Sequence, residues 1–471
     1  MDTTAPNSLR DRLAISADER REHQRLLLEV TNIPTASGEE HGVGAYVLAW
    51  AEARPDVELM TDACGNFEVR FANEAHALEL EEDASTVDFD DLEDDDFSLA
   101  GEVIDFDAPR EHAREPEHQN GTGEPRGAHA SESAAPRERP IYFTAHMDHP
   151  ALVVERVVAP GIVQLQLRGG VMDDYIKGTR VRIFTQDDTP IHARITEPAE
   201  GSSPHLKSWL AEIEDAEPSD QIAIGDIATW DVGESEIVDG VLHAPVCDDL
   251  AALAAAMCAF DVLRRLRASG ERVGDVRLLL TRAEEIGFVG AIGACMERTM
   301  PENARVIALE NSRAFDDSPI GGGPIVRVGD RLSVFSPTLT GAVAKVAEDL
   351  AGGPATPTAS QKLSDLPVWR WQRKLMAGGA CEATVFCTYA YEATCLCLPL
   401  GNYHNMGDLT AVQAGTNTTP PTLAREFIGV SDFEGMVDLL SACGVALPDA
   451  PPLRGRMEKL WDERRFVLGN E

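Results

Sequence analysis

The sequence has little positive charge and no long hydrophobic run. Its 471 residues include 80 Asp and Glu but only 41 Lys and Arg, which gives a formal charge of -39 at pH 7 and a pI near 4.6. A molecule with this charge repels polyanions, so nucleic acid and anionic membrane surfaces are not expected as partners. The longest uncharged apolar run, residues 250–260, is too short to cross a bilayer.

Cysteine is present, but not in paired spacing. The nine cysteines are scattered, odd in number, and never form a Cys-x-x-Cys motif. They indicate small buried residues in a reducing compartment rather than a disulfide framework. Cys395 and Cys397 share one face of a predicted strand and are expected in the core. Because residues 1–30 contain no apolar segment of signal-peptide length, we expect a cytoplasmic protein.

One short segment, residues 141–150, reads Ile-Tyr-Phe-Thr-Ala-His-Met-Asp-His-Pro. Its first half predicts a strand buried on both faces. His146 and Asp148 are two residues apart, so on extended backbone their side chains leave the same face. A metal-binding imidazole needs an acceptor for its second ring N–H, and a carboxylate suits that role. A strand end that runs into solvent also explains an isolated His-x-Asp.

Composition divides the chain into three parts. Residues 74–140 are so acidic and polar that they cannot bury enough apolar surface to offset the entropy of ordering, which predicts a disordered insertion. A metal-buffering or partner-binding role is the alternative for this segment. Residues 154–228 contain short alternating segments and predict an inserted small β-barrel or sandwich. Residues 1–73, 141–153 and 229–471 alternate strands with helices and predict an α/β catalytic domain.

Five residues able to bind a metal stand just past predicted strands or at a helix start: His146, Asp248, Glu285, Glu310 and His404. In an open α/β sheet such side chains converge on the crevice beyond the carboxyl ends of the strands. Nitrogen and oxygen donors suit zinc, manganese or cobalt, and one carboxylate can be shared by two ions. A surface location explains any one of these residues, but the ordered set favours a metal centre.

The adjacent pair Glu284 and Glu285 has two interpretations. Neighbouring side chains diverge, so one carboxylate can bind a metal while the other faces substrate and handles a proton. Two carboxylates this close repel each other strongly unless a cation lies between them. A helix N-terminus, which favours acidic residues, is the alternative.

These segments together resemble the dinuclear metal aminopeptidases of the tetrahedral-aminopeptidase and glutamyl-aminopeptidase family, relatives of the carboxypeptidase-like zinc exopeptidases. The resemblance implies an α/β fold with a zinc-exopeptidase-like mixed sheet flanked by helices and an inserted small β-barrel domain. It covers most of the chain outside the acidic insertion and the extreme C-terminus. The matching residues are Asp62, Gly65-Asn66, Ala145-His146-Met147-Asp148, Asp248-Asp249, residues 284–291, Gly323-Pro324, Asp330, Gly378-Gly379, Ala383 and His404.

The resemblance also implies a role for each metal-binding residue. Asp248 would bridge two divalent ions, zinc, cobalt or manganese. His146 and Glu310 would complete one site, and Glu285 and His404 would complete the other.

The same resemblance implies the catalytic residues and the activity. Asp148 would orient the imidazole of His146, and Glu284 would be the general base. The protein would then be a metallo-aminopeptidase that removes N-terminal residues from peptides and assembles as a homo-oligomer.

The sequence departs from the family pattern at four places near these motifs. Glu310 stands where the family usually has Asp, and Leu250 stands where it usually has Arg. Asn405-Met406 stands in place of Ser-Pro, and residues 379–383 read Gly-Ala-Cys-Glu-Ala where Gly-Thr-Asp-Ala is usual. Glu310 keeps a carboxylate, so metal binding is expected to survive. The other three bear on substrate preference and on the level of activity.

Two other functions compete with the aminopeptidase. A related amidohydrolase, such as a deacylase or dipeptidase, would use the same two-metal chemistry. A non-catalytic binding protein would keep the fold without turnover. The barrel-like pattern of the inserted domain favours the peptidase over the amidohydrolase, and the complete set of catalytic residues argues against the binding protein.

Overall fold

A computed structural model describes residues 8–72, 139–185, 190–201, 203–214, 221–355, 369–449 and 452–468. It shows a mixed sheet flanked by helices together with a closed barrel, which confirms the predicted fold class. The predicted acidic insertion lies outside the described residues except at its last two positions, so its disorder stays a prediction.

The described helices surround the sheet, with one short helix in the barrel. In chain order they are α1 (Leu9–Leu13), α2 (Ala17–Val30), α3 (His41–Glu52), α4 (Asp173–Ile176), α5 (Leu250–Ala268), α6 (Val289–Met296), α7 (Pro337–Ala351), α8 (Glu382–Thr388), α9 (Leu409–Ala414), α10 (Val430–Ala446) and α11 (Pro452–Arg464), with 3₁₀ turns at Tyr403–Asn405 and Arg465–Leu468.

The described strands form two open sheets and one barrel. In chain order they are β1 (Val57–Thr61), β2 (Phe67–Phe71), β3 (Ile141–His146), β4 (Ala151–Ala159), β5 (Ile162–Arg168), β6 (Arg180–Phe184), β7 (Pro190–Ala199), β8 (Ser208–Ile213), β9 (Ile227–Trp230), β10 (Glu236–Val238), β11 (Val241–Ala244), β12 (Val276–Thr281), β13 (Arg305–Arg313), β14 (Ile325–Gly329), β15 (Gln372–Leu375), β16 (Glu392–Leu400) and β17 (Glu426–Gly429).

The main sheet has eight strands in the order β1-β2-β12-β3-β13-β16-β14-β15. Strands β12, β3, β13 and β16 are parallel to one another, while β2 and β14 pair antiparallel with the outer two of these four. Every residue of β3 is buried, as a strand covered on both faces requires. The carboxyl ends of the four parallel strands therefore lie at one edge of the sheet.

Helix α5 is buried along most of its length, and this burial fixes the position of its N-terminus. Each residue from Leu250 to Phe260 is at most 1% exposed, and the helix packs against β3 and β13. A glycine on α10 allows that helix to pack closely against α5. A Cβ atom on Gly444 would lie only 2.6 Å from Cδ1 of Leu263. The loop that enters α5 is thus held firmly over the sheet.

The barrel closes in the order β4-β5-β8-β7-β6-β9 and has its own apolar core. It leaves the main sheet directly after β3, and the indole Nε1 of Trp230 on its last strand donates to the carbonyl of Pro150 at 2.9 Å. Closure leaves no unpaired strand edge. The sequence allowed a barrel or a sandwich, and the structure shows a barrel.

Ser16 caps α2 in a reciprocal capping box with Glu19, and β1 and β2 form a hairpin. The cysteine predictions are confirmed in part: all nine cysteines are free thiols, and Cys395 and Cys397 are fully buried, but Cys64 is exposed.

The structure differs from the prediction at the end of one strand and adds a small sheet. The strand predicted to stop before Glu310 continues to Arg313 as β13, because it pairs with β16 over its whole length. A small sheet in the order β10-β11-β17 had no clear sequence signal, because its strands are three to four residues long.

Within the described ranges, no helix has the length and apolar character needed to cross a membrane. The predicted cytoplasmic location stays a prediction.

The ends of β2 and β3 allow a direct test of the acidic insertion. Both strands flank β12, and Val276 lies opposite Ile141 while Leu278 lies opposite Val69. The ends are therefore about two strand spacings apart, roughly 10 Å. Replacing residues 75–133 with a short Gly-Ser linker should leave the fold intact, because closure entropy changes slowly with loop length. Circular dichroism and metal content measure this. Failure to fold, or loss of all bound metal, would show that the segment is structural.

Candidate active site

The seven predicted site residues gather at the carboxyl edge of the parallel strands, beside a cavity of about 380 Å³. Five different segments supply them. They are His146 and Asp148 on and after β3, Asp248 before α5, Glu284 and Glu285 after β12, Glu310 on β13, and His404 after β16.

Asp248 stands between the two imidazoles. Its Oδ1 lies 3.6 Å from Nε2 of His146, and its Oδ2 lies 3.7 Å from Nε2 of His404. Glu310 Oε1 is 4.0 Å from the first imidazole nitrogen, and Glu285 Oε1 is 3.4 Å from the second. The residues therefore form two groups that share Asp248, with the donor atoms of each group within 4.8 Å of one another.

Hydrogen bonds fix which nitrogen of each imidazole carries the proton. Nδ1 of His146 is 3.1 Å from the carbonyl oxygen of Asp148, and Nδ1 of His404 is 2.6 Å from the carbonyl oxygen of Gly170. A carbonyl oxygen only accepts, so each Nδ1 donates its proton to it. Both Nε2 lone pairs then face the carboxylates, which is the orientation of a metal-binding histidine.

Burial changes the protonation of most groups in the centre. It raises the pKa of Asp248, Glu284 and Glu285 well above the usual carboxyl value, because a charged carboxylate is poorly solvated there. Burial also lowers the pKa of His404 to about 3. His404 is therefore neutral, as a ligand must be.

His146 and Glu310 are influenced more by their neighbours than by burial. Burial alone lowers the pKa of His146, but the negative charge of Glu284 and the neighbouring carboxylates of Asp148, Asp248 and Glu310 raise it well above the usual value. Burial raises the pKa of Glu310, yet His146 and the more distant Arg327 lower it overall.

The donor set fits two divalent cations. Imidazole lone pairs and buried carboxylate oxygens face each other at distances at which they repel, unless a cation or a proton lies between them. Oδ1 of Asp248 is buried without a hydrogen-bond partner in the described part of the chain. Two histidines and three carboxylates, with one carboxylate shared, match what two ions of the zinc, cobalt or manganese type require.

The carboxylate of Asp148 accepts three hydrogen bonds besides facing the imidazole of His146. Its Oδ1 lies 3.4 Å from Nδ1 of His146 and accepts the backbone N–H of Glu284 at 2.9 Å. Its Oδ2 accepts the N–H of Glu285 at 3.1 Å and the hydroxyl of Ser37 at 2.5 Å. One buried carboxylate thus positions the loop that carries both glutamates.

That loop precedes α6 and is not the start of the helix, which begins only at Val289. The acidic pair is therefore not explained by a helix N-terminus. Asn66 holds the loop from the other side: its Oδ1 accepts from the backbone N–H of Arg282, and its Nδ2 donates to the carbonyl of Gly290. A Cβ on Gly290 would lie 2.4 Å from the carbonyl oxygen of Arg282, so only glycine fits there.

Sequence reasoning missed Glu426, a fully buried carboxylate that joins two ligand-bearing loops. Its Oε2 accepts the backbone N–H groups of Cys247 and Asp248 at 2.7 and 3.0 Å, and its Oε1 accepts the N–H of His404 at 2.8 Å. A lone Glu before a three-residue apolar segment carries no sequence signal, because its partners lie far away in the chain.

Two more buried carboxyl groups lie near the candidate metal ligands. Asp249 offers an oxygen within 4.8 Å of donor atoms of His146, Asp248 and Glu310. Neither its oxygens nor those of Glu382, at the start of α8, have a hydrogen-bond partner among the described residues. Burial raises the pKa of Glu382 to about 7. The sequence placed Asp249 in a motif but gave it no role.

Comparison with known proteins relates the chain to a peptidase family. The family model of the M42 glutamyl aminopeptidases matches residues 128–351, a segment that contains His146, Asp248, Glu284, Glu285 and Glu310. The chain is a relative of the M42 family. The lysyl aminopeptidase of Pyrococcus furiosus is 22% identical over 216 residues, 41% of this chain. The chain spans 59% of the length of that relative.

Solved structures share the fold of this M42 relative. TET1 peptidase of Pyrococcus horikoshii, described as able to assemble into a tetrahedron or a large octahedral shell, has a TM-score of 0.58 and 18% identity, covering 91% of this chain and 100% of that chain. A TET aminopeptidase from a marine sediment archaeon of the Thaumarchaeota has a TM-score of 0.60 and 15% identity, covering 91% and 98%. The resemblance stated from the sequence is confirmed.

The departures from the M42 pattern have different structural settings. Leu250 is wholly buried in the core at the start of α5 and does not line the cavity. Asn405 is also wholly buried; its Oδ1 is 2.9 Å from Nε2 of His149, and its Nδ2 donates to the carbonyls of Pro245 and Ala424. Asn405 thus supports the loops behind the candidate metal ligands and does not line the cavity.

Glu426→Gln tests whether this carboxylate positions the ligands. An amide cannot accept hydrogen bonds with both terminal atoms, so at least one of the two loops loses its partner. We expect zinc affinity to fall about 10-fold to 100-fold, the usual effect of losing a group that orients metal ligands. Competition titration against a chelator measures it. Glu236→Gln, an exposed glutamate of the same small sheet, is the control; equal affinities in both variants would contradict this role.

Proposed function

We propose that this protein is a metal-dependent aminopeptidase that cleaves the N-terminal residue from peptides with two divalent ions. The observation that carries the proposal is the position of Asp248, whose two oxygens face two different imidazole nitrogens. The relation to the M42 peptidases supports a peptide hydrolase. The confirmed closed barrel favours the peptidase over a deacylase or dipeptidase, as expected from the sequence.

The metal-binding residues divide into two sets. His146, Glu310 and Oδ1 of Asp248 would hold one ion, while His404, Glu285 and Oδ2 of Asp248 would hold the other. When bound, such ions polarise a peptide carbonyl and make water more acidic. The mixture of imidazole and carboxylate suits zinc, and cobalt or manganese are compatible.

Glu284 is proposed as the general base. It lines the cavity, is 8% exposed, and its backbone is fixed by Asp148. Because burial raises its pKa, it can keep a proton taken from water long enough to deliver it to the departing amine. The adjacent Glu285 faces His404 instead, so the two carboxylates have separate tasks.

We also propose that the protein works on peptides as a homo-oligomer. The described assemblies of Pyrococcus horikoshii TET1 support this proposal, as does the shared fold. Size-exclusion chromatography with light scattering measures the assembly directly.

Metal removal and substrate blocking test the proposed activity. A chelator should abolish release of amino acids from unblocked peptides, and zinc, cobalt or manganese should restore it, because the carbonyl and the water depend on the ions. N-acetylated versions of the same peptides should stay intact. Full activity in thoroughly metal-free protein would contradict the proposal, and cleavage of the acetylated peptides alone would indicate a deacylase.

Glu284→Gln separates proton transfer from metal binding. The change removes the base but keeps its shape, so metal content should stay near normal while kcat falls by about 10² to 10⁴, the usual contribution of general acid–base catalysis. Glu285→Gln is the matched variant one residue away, and it should lower metal occupancy first. A fully metallated Glu284→Gln enzyme that keeps most of its turnover would exclude Glu284 as the base.

A further inference from the structure

The C-terminal segment, which we define as residues 453–468, carries an apolar surface that the described part of the chain leaves exposed. It comprises most of α11 and the 3₁₀ turn after it, and each of its residues is exposed except Leu460. Six of its large apolar side chains are each more than half exposed: Leu453, Met457, Trp461, Phe466, Val467 and Leu468. An exposed apolar surface of this kind is typical of a binding site.

Three of these side chains form a row along α11. Leu453, Met457 and Trp461 are four residues apart, so they lie on one face of the helix. A helix of about this length is marginal in water when it stands alone, because most helical stability in proteins comes from packing of an apolar face. We therefore expect this face of α11 to be covered by a partner.

The charge of the C-terminal segment is opposite to that of the whole protein. The segment has five basic residues and three acidic ones, on a chain whose formal charge is -39. Arg456 and Arg464 follow Leu453 and Trp461 by three residues and lie beside the apolar row. Neither arginine has an ion pair within the described ranges. An acidic partner with apolar side chains complements such a face.

The acidic insertion returns to the fold beside the start of α11. The backbone N–H of Arg305 donates to the carbonyl of Pro140, the last residue of the insertion, at 2.9 Å. The guanidinium of the same arginine donates to the carbonyl of Pro448 at 3.2 Å and lies 3.2 Å from the carboxylate of Asp449. Asp449 stands three residues before α11 begins at Pro452. One arginine thus joins the end of the insertion to the start of the C-terminal segment.

The first half of the insertion has the composition that this surface requires. Residues 74–107 include fifteen Asp and Glu and no Lys or Arg, with Phe89, Phe97 and Phe106 among the acids. The 31 residues from 108 to 138 are long enough: a flexible linker of that length spans roughly 30 Å, and α11 is about 20 Å long. The other long segment outside the described residues, 356–368, has one Asp and one Lys and offers no such charge.

We propose that residues 88–107 bind the C-terminal segment of the same chain. Their carboxylates would pair with its arginines, and their phenylalanines would cover the row of Leu453, Met457 and Trp461. Opposite charges favour the contact, and burial of the apolar row stabilises α11. The contact begins at the edge of the sheet opposite the candidate metal ligands, and it does not depend on the proposed activity.

Photo-crosslinking in the full-length protein tests this contact. Phe97→p-benzoylphenylalanine places a crosslinker of similar shape in the acidic half of the insertion, and an equal mixture of unlabelled and ¹⁵N-labelled protein shows which chains are joined. We expect crosslinks to residues 453–468 of the same chain. Ala128→p-benzoylphenylalanine is the matched control, because position 128 is closer to the end of the insertion but lies outside its acidic half. It should give far fewer crosslinks to these residues.

Arginine variants test the charge pairing. Arg456→Gln/Arg464→Gln should lower the crosslinking yield from position 97 by about 2-fold to 20-fold, as for the loss of two exposed ion pairs. Glutamine keeps helix propensity close to that of arginine, so α11 itself is not weakened. Arg180→Gln/Arg194→Gln removes the same charge from the barrel, where both side chains are nearly half exposed, and should leave the yield unchanged.

Hydrogen exchange gives a second measurement without a crosslinker. In the protein whose residues 75–133 are replaced by a Gly-Ser linker, backbone amides of α11 should exchange about 10-fold faster or more, because the helix loses its cover. Amides of the buried strand β3 should keep their wild-type rates, which separates local exposure of α11 from a general loss of stability.

Three results would overturn the inference. Crosslinks that join unlike isotopes would show that a second copy of the chain covers α11. Equal yields from positions 97 and 128 would show proximity without recognition. Wild-type exchange rates of α11 in the shortened protein, or no crosslink to the C-terminal segment, would show that the insertion does not bind there and would leave this surface to a different protein.

Discussion

The structure depends on one shared carboxylate, that of Asp248. Its two oxygens face His146 and His404, which follow different strands of the main sheet. Buried acids at these distances destabilise the fold unless positive charge is present. This crowding of buried acids destabilises the folded state and therefore also creates affinity for cations. Cations bound at the proposed metal centre would relieve the repulsion.

Two further carboxylates, Asp148 and Glu426, keep this crowded arrangement in place. Each accepts backbone N–H groups from segments that carry candidate ligands, so each fixes the position of those segments. Neither needs to contact the cavity to do so. The proposed chemistry rests on such buried hydrogen bonds as much as on the residues that face substrate.

The sequence predicted the α/β fold, the strand that ends at His146 and the candidate ligands, because apolar runs and acid or histidine positions are local signals. It could not separate a barrel from a sandwich, since short alternating strands suit both. It missed Glu426, whose partners Cys247 and His404 are distant in the chain, and it gave no role to Asp249 or Glu382. The positions of Glu426, Asp249 and Glu382 depend on which segments meet at the sheet edge, and the residue types alone do not predict which segments meet.

The hydrogen bond from His404 to the carbonyl of Gly170 links two parts of the fold that are built separately. The acceptor belongs to the barrel segment, whereas the imidazole belongs to the turn after β16 of the main sheet. Docking of the barrel thereby chooses the tautomer of the histidine. Thermodynamic linkage makes this effect reciprocal. If docking of the barrel strengthens cation binding by a given free energy, a bound cation stabilises the docked barrel by the same amount. The inserted domain and the centre beside it thus behave as one thermodynamic unit, although the chain builds them from separate cores.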